Sequence, residues 1–265
     1  MSSTLLLRLA GPMQSWGVQS RFTNRDTGLE PSKSGVIGLL CAALGRPRHA
    51  PVVDLTGLTL GVRVDRQGLL KMDYHTAGGS HHKGEKYGVA KADGGKPDTV
   101  VSHRYYLADA DFLVGLEGDE ALLRRLDAAL ARPVWPLYLG RKAFVPGAPV
   151  RLAYRPPDLP GPTEVPGLVH LPLQAALVSY PWLARTHREK ERMHRQVDEA
   201  QQTGRTVQLR LVLDTPFGRG AEVRPDVPLS FAKREFTIRH VKTDFMPLNL
   251  EMIQEATYVS LSAAS

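Results

Sequence analysis

An α+β fold is predicted for this chain by three features. An apolar run over 5–9 leads through a long polar loop into a capped apolar helix pattern over 34–44. A second helix pattern with one leucine-rich face covers 119–131. Strand patterns recur at 58–64, 100–107 and 112–116. In chain order, Ser32 or Ser34 caps the first helix, and Gly45 then Pro47 stop it. Leu58, Leu60, Val62 and Val64 alternate with smaller or polar residues, so 58–64 reads as a strand. The turn Arg66-Gln67-Gly68 returns 69–74 as its hairpin partner. From His75 to about Asp98 the pattern stops. Gly78, Gly79, Gly84, Gly88, Gly94 and Gly95 are interspersed with His81, His82, Lys83, Lys86, Lys91 and Lys96. Such a stretch buries too little apolar surface to order itself, and reads as a basic arm that orders on a partner or as a plain disordered insert.

Strand character returns at 100–107 and 112–116. The second helix puts Leu122, Leu123, Leu126 and Leu130 on one face and ends at Pro133. A short strand over 136–140 then enters the basic loop Gly140-Arg141-Lys142. The order strand, helix, strand, strand, helix, strand is that of a ferredoxin-like split βαβ unit, the layout of an RRM. Beyond it, 155–166 is a Pro-rich linker and 168–178 is apolar and extended. Residues 182–202 are densely charged and read as a solvated helix face or loop; 207–213 and 231–241 are strands. The expected organisation is a ferredoxin-like (RRM-like) N-terminal domain over 1–147, carrying an inserted hairpin or thumb arm at about 75–103. A smaller β-rich C-terminal domain covers 148–265.

Hydrophobic residues make up 42% of the 265, an ordinary core fraction. No apolar run approaches the roughly 20 residues that span a bilayer, and no secretion signal is visible, so a cytoplasmic location with no membrane role is expected. The single cysteine, Cys41, reads as a buried small hydrophobe in the first helix. The net charge of +7 and pI of about 9.6 suit a polyanionic partner; charge alone is equally consistent with a merely soluble basic protein.

The first loop and helix start carry the candidate chemistry. Helix N-termini offer free N–H groups and partial positive charge, a seat for phosphate. Lys33 would supply a point charge there, with Ser32 and Ser34 as hydroxyl donors; the alternative is a capped core helix with a surface lysine. Gln14, Ser15 and Ser20 are polar loop donors, and Trp16 stacks on a base or anchors the loop on the core. Arg21 and Arg25 are the stronger candidates for direct RNA contact, because guanidinium forks match phosphate and stack on bases. Gly140, Arg141 and Lys142 would let backbone approach closely beside two cations, against the alternative of a solvated turn. His75 and Arg104, at the two roots of the arm, would clamp the strand. Gly28-Leu29-Glu30-Pro31-Ser32-Lys33-Ser34 departs from a Walker A loop, with Ser32 at the second glycine position and Pro31 removing an amide donor. No cofactor and no metal are expected, since His81-His82 lacks companions at ligand spacing. Tyr74 and His75 leave one enzymatic alternative, metal-independent RNA cleavage.

Several motifs occur in the order of a known family. They are Gly11-Pro12-Met13-Gln14-Ser15-Trp16-Gly17, Pro31-Ser32-Lys33-Ser34-Gly35-Val36-Ile37-Gly38-Leu39-Leu40, Asp73-Tyr74-His75-Thr76 and Tyr138-Leu139-Gly140-Arg141-Lys142. Arg104-Tyr105-Tyr106-Leu107-Ala108-Asp109-Ala110 and Phe231-Ala232-Lys233-Arg234 extend the match over nearly the whole chain, most weakly between Pro156 and Gln202. The chain resembles the CasD family, subunits of the type I-E CRISPR surveillance complex Cascade within the RAMP superfamily. The resemblance implies a ferredoxin-like palm with an inserted thumb and a C-terminal domain. It implies a non-catalytic subunit that binds the 5′ handle of the CRISPR RNA (crRNA). Its neighbours would be the backbone subunit CasC and the large subunit CasA, with target DNA met indirectly. The thumb, here the arm from His75 to about His103, would fold over the RNA. Precursor cleavage in such systems belongs to a separate subunit, CasE.

Overall fold

The computed structural model describes residues 2–20, 23–82, 85–90, 94, 98–154, 165–216 and 222–254, with the side chains of 80–82, 85–87, 153–154, 165–166 and 254 left aside. The strands of the first part are β1 (Ser3–Ala10), β2 (Met13–Gln14), β3 (Asn24–Arg25), β4 (Thr59–Arg66), β5 (Leu69–Ala77), β6 (Ser80–His82), β7 (Glu85–Tyr87), β8 (Val100–Ala108) and β9 (Asp111–Gly118). Its helices are α1 (Lys33–Leu44), α2 (Val53–Thr56) and α3 (Glu120–Ala131). There follow β10 (Ala153–Tyr154), β11 (Val165–Pro166), β12 (Leu168–Val169), α4 (Leu173–Ser179), α5 (His187–Gln202), β13 (Gln208–Thr215), β14 (Glu222–Ser230), β15 (Glu235–Pro247) and α6 (Leu250–Gln254).

A seven-stranded antiparallel sheet in the order β12-β1-β9-β4-β13-β15-β14 organises the molecule. Of the strands after residue 148, β12, β13, β14 and β15 add to this same sheet, while β10 and β11 pair only with each other, so the main sheet crosses 147/148. Alternation along the strands feeds two cores. Leu5, Leu7, Leu9, Val62, Phe112 and Val114 pack with α1 and α3 on one face. Leu6, Leu113, Leu209, Leu211 and Leu213 pack with α4 and α5 on the other. Strands covered on both sides read as near-continuous apolar runs.

Caps set both long N-terminal helices, the first of them as expected. Gly35 N–H donates to Ser32 Oγ at 3.2 Å to open α1, and Gly45 closes it in the left-handed region with φ +68°. Leu122 N–H donates to Asp119 Oδ2 at 2.9 Å to open α3. Cys41 is buried, and burial pushes its thiol pKa up. One charge pair sits deep in the second core. Arg63 and Asp65 are both fully buried, with Nε–Oδ1 at 2.6 Å. The remaining Arg63 N–H groups reach Asp65 Oδ2 and the carbonyls of Leu177, Tyr180 and Pro181, so every donor of the guanidinium has an acceptor. The side chain thereby ties the end of α4 to β4.

Several expectations need correction. β4 and β5 are not a hairpin: β4 is buried between β9 and β13, whereas β5 is exposed and pairs with β8. Gly68, at φ +73° and tight against the Ala108 carbonyl, turns the chain out of the sheet between them. The supposed pattern-free arm begins later than its glycines imply. β5 and β8 stay in register to Ala77 and Val100, and β6–β7 forms a second short hairpin. Lys83, Gly84, Lys91, Gly95 and Lys96 lie outside the described residues, as does most of the Pro-rich linker. Residues 136–140 form no strand; the segment is held through Leu139, whose N–H donates to the Phe144 carbonyl at 2.7 Å. The extended reading of 168–178 holds only for β12. Pro172 starts α4, and Leu173, Ala176 and Leu177, at helical spacing, go into the second core. The charged 182–202 segment, of the two readings given for it, is mostly the solvated helix: α5, with Val197 its buried residue. The last long strand begins at Glu235, because 231–234 form a turn that puts Arg234 at φ +57°.

Candidate nucleic-acid interface

β8 runs out of the main fold and carries a small sheet of its own. β5 pairs along one edge in full register, from Leu69↔Ala108 to Ala77↔Val100. On the other edge sit two short strands of the first loop: β2 antiparallel at Met13↔Ala108, and β3 parallel at Asn24↔His103 and Arg25↔Arg104. The loop after residue 138 buttresses β2, with Ser15 N–H donating to the Leu139 carbonyl at 3.1 Å. Three segments remote in sequence therefore meet at one place.

That place is positively charged. Arg25 lies beside Arg104 by register, and Arg141 Nη2 donates to the Arg25 carbonyl at 3.2 Å. The Arg141 guanidinium stands 5.4 Å over the Phe144 ring. Its pKa is lowered, first by burial and then by the like charges of Arg104 and Arg25; Asp73 and Asp26 act the other way. Arg104 Nε donates to Ser102 Oγ at 2.9 Å, and Asp73 is its cross-strand partner. His75 lies two residues further along β5, its Nδ1 3.7 Å from the Asp73 carboxylate. Lys142 is exposed beside the cluster. Strand alternation gives the ribbon a second character on its reverse, where Met72, Tyr74, His103 and Tyr105 lie. Tyr74 is 62% exposed and meets His103 edge-on, with ring centroids 5.6 Å apart. His103, Tyr105 and Met72 were not singled out by sequence reasoning; only the β5–β8 register could have revealed them.

Gly140 is built into the site. It is exposed with φ +93°, and a Cβ there would collide with the Ser15 carbonyl. Gly140→Ala is expected to push the Arg141 loop off β2 and to cost about 1–3 kcal/mol. Urea unfolding would show the loss, and protection of the Ser15 amide from exchange would fall with it.

The other expected contacts divide sharply. Lys33 does not form a phosphate seat. It is only 7% exposed, and its Nζ is 3.1 Å from Asp214 Oδ2. The N-terminus of α1 does take an anion, but an internal one: Lys33 N–H donates to Asp226 Oδ2 at 2.8 Å. Ser32 is buried as the cap, and Ser34 is half-buried behind it. Trp16 is an anchor, not a stacking ring. It is 2% exposed, its Nε1 donates to Gln14 Oε1 at 3.2 Å, and it lies against Gly35 of α1. Gln14 is buried and donates to the Leu9 and Ala110 carbonyls at 3.0 and 2.9 Å. Ser15 is buried too, near the Asp26 and Tyr105 carbonyls. Ser20 is exposed but bonded to Asp26, whose other oxygen accepts from Gln19 N–H at 3.0 Å. Arg21 lies outside the described residues. The structure thus brings Arg25, His75, Arg104, Gly140 and Arg141 together and assigns Gln14, Ser15, Trp16, Ser32 and Lys33 to holding the loop and helix behind them. Among the described residues no group of His, Cys, Asp and Glu is arranged to hold a metal ion, and no helix is long and apolar enough to cross a membrane.

Comparison with known proteins places this geometry in a family. Residues 4–242 match the family model described as CRISPR-associated protein (Cas_Cas5). The Escherichia coli (strain K12) protein named CRISPR system Cascade subunit CasD is 36% identical over 160 residues, which is 54% of this chain and 67% of that protein. A solved structure titled as a CRISPR RNA-guided surveillance complex contains a chain 37% identical, with a TM-score of 0.71 over 94% of this chain and 92% of that one. A second, titled as the crystal structure of a Cas protein, is 40% identical, with a TM-score of 0.64 over 92% and 95% of the two chains. With the family model spanning nearly the whole sheet and the arginine-bearing ribbon, the chain belongs to the CRISPR-associated Cas5 family.

Proposed function

We propose that this chain caps the 5′ handle of the crRNA in a type I-E Cascade complex in the cytoplasm, binding the RNA without cutting it. The observation that carries the reading is the convergence of Arg25, Arg104 and Arg141 beside an exposed two-stranded ribbon. Three guanidinium groups with two flanking carboxylates leave an excess of positive charge that a sugar–phosphate strand relieves. On the reverse of the same ribbon, the exposed ring of Tyr74 offers a separate π-face to a base. The names of the relatives support the setting: one is a Cascade subunit, and one belongs to an RNA-guided complex. The thumb of the family corresponds here to β5–β8. The palm is read as ferredoxin-like, supported by the strand order β12-β1-β9-β4 with α1 after β1 and α3 after β9. Within the assembly, CasC and CasA would lie beside this subunit, and target DNA would be met through the guide.

A second reading, metal-independent cleavage of precursor RNA, draws on the Asp73–His75 pair next to the arginines. One experiment separates the two. Full-length protein is mixed with handle RNA and its amide exchange mapped, and the same protein is incubated with precursor repeat RNA in EDTA. Slowed exchange over 23–27, 71–76, 102–106 and 139–144, with intact precursor, is the expected result. A discrete cleavage product lost in His75→Ala would replace capping with catalysis. Protection confined to other segments would remove the site.

A further inference from the structure

A second concentration of arginines lies on the other side of the sheet. Arg141 belongs to the loop of Leu139 and Phe144, which pack in the first core. α5 packs through Val197 in the second. Where α5 begins, an open cleft is lined by Arg66, Asp109, Arg185, Arg188, Arg192 and Arg195. Two of these arginines are neutralised. Arg66 pairs with Asp109 and Glu189, and Arg185 pairs with Asp109 and with Asp111, the latter at 3.2 Å. The other three are different. Arg188, Arg192 and Arg195 are exposed and stand at i, i+4 and i+7 on α5, opposite the buried Val197. Among the described residues no carboxylate lies within ion-pair distance of any of them. The neighbouring Glu191 is engaged by His187 at 3.4 Å, and Glu199 carries the ridge on as an acid. Like charges at i,i+4 weaken a helix, so the ridge stands against its own repulsion.

We propose that this ridge binds the phosphate backbone of duplex DNA without reading its sequence. The proposal rests on the RNA-guided reading above: such an assembly must hold the DNA that it inspects, and the guide's handle is taken up at the opposite face. The dimensions agree. From Arg188 to Arg195 the helix rises about 10 Å. Over that length a duplex presents about three phosphates per strand, one for each arginine. Guanidinium forks suit phosphate oxygens, and a ridge of exposed charges supplies little to hydrogen-bond base edges.

The test uses the full-length chain, with a short duplex of arbitrary sequence and, separately, handle RNA, each titrated over a salt series. Arg188→Ala/Arg192→Ala/Arg195→Ala is expected to lose at least about tenfold in duplex affinity near 0.1 M salt, with the slope of log affinity against log salt falling by about 2–3. Handle binding should stay within about twofold, because these residues are remote from the RNA cluster. The matching triple lysine variant is expected to keep the duplex slope, since it keeps the charge. An unchanged duplex affinity and slope in the alanine variant overturns the proposal. Loss of handle binding in place of duplex binding overturns it equally, as does a wild-type chain that leaves duplex unbound. Failure of the RNA reading shows differently, as absent handle binding with ridge-dependent duplex binding intact.

Discussion

Asp226→Ala is expected to destabilise the fold by about 3–5 kcal/mol and to lower its melting temperature by roughly 10 °C. Asp226 is 2% exposed and serves two partners at once. Its Oδ2 accepts the Lys33 N–H at the start of α1 at 2.8 Å. Both its oxygens accept from Arg239, Oδ1 from Nε at 2.7 Å and Oδ2 from Nη2 at 2.9 Å. Arg239 is also bonded to Asp214, which holds the Lys33 ammonium and accepts from Leu60 N–H at 2.9 Å. Burial pulls the Arg239 pKa down, but its hydrogen bonds and charge pairing with Asp226 and Asp214 outweigh this and leave it raised. Removing Asp226 strands a buried guanidinium and opens the helix terminus, the costly half of breaking a buried pair. Asp226→Asn keeps an acceptor for the Lys33 N–H and should lose less. Thermal and urea unfolding of both variants check this; wild-type stability in Asp226→Ala would mean that the network is decorative. At a temperature where the variant stays folded, handle RNA binding should be unaffected, since the α1 terminus is filled from within.

This terminus shows where sequence reasoning reaches its limit. That a helix start beginning Ser-Lys-Ser wants an anion is local physics, and it is correct. Which anion arrives is not local: Asp226 lies 193 positions away. Lys33 therefore looked like a phosphate ligand when its charge was already matched. The cap at Ser32 was readable because cap and helix are neighbours, and the central strands because burial on both faces leaves apolar runs. The two strands of the ribbon were readable at 69–74 and 100–107, but not their pairing with each other: β5, Leu69-Leu70-Lys71-Met72-Asp73-Tyr74-His75-Thr76-Ala77, has no buried face to fix its partner. Arg25, Arg104 and Arg141 could be listed from composition and motif, but their meeting depends on the parallel pairing of a two-residue strand with β8, for which the sequence carries no signal.

Arg25→Ala/Arg104→Ala/Arg141→Ala is expected to reduce handle RNA affinity at least about a hundredfold and to lower the salt slope by about 2, at roughly 0.7 per lost phosphate contact on a single strand. Each charge-assisted hydrogen bond contributes about 1.5–3 kcal/mol, and about 1.4 kcal/mol is a factor of ten. Three independent losses would exceed a hundredfold, but these three are coupled. Arg141 leans on the Arg25 carbonyl, and its pKa already responds to both other guanidinium groups. The single variants will therefore not sum to the triple, and relief of repulsion among the survivors will blunt each one. Lysine at 141 should rescue only part of the loss, because it keeps the charge but not the planar stack on Phe144 or the fork that reaches the Arg25 backbone. None of the three side chains belongs to either buried core, so melting temperature should hold while binding falls. A triple variant that keeps the wild-type affinity and salt slope for handle RNA would move the RNA off this ribbon altogether.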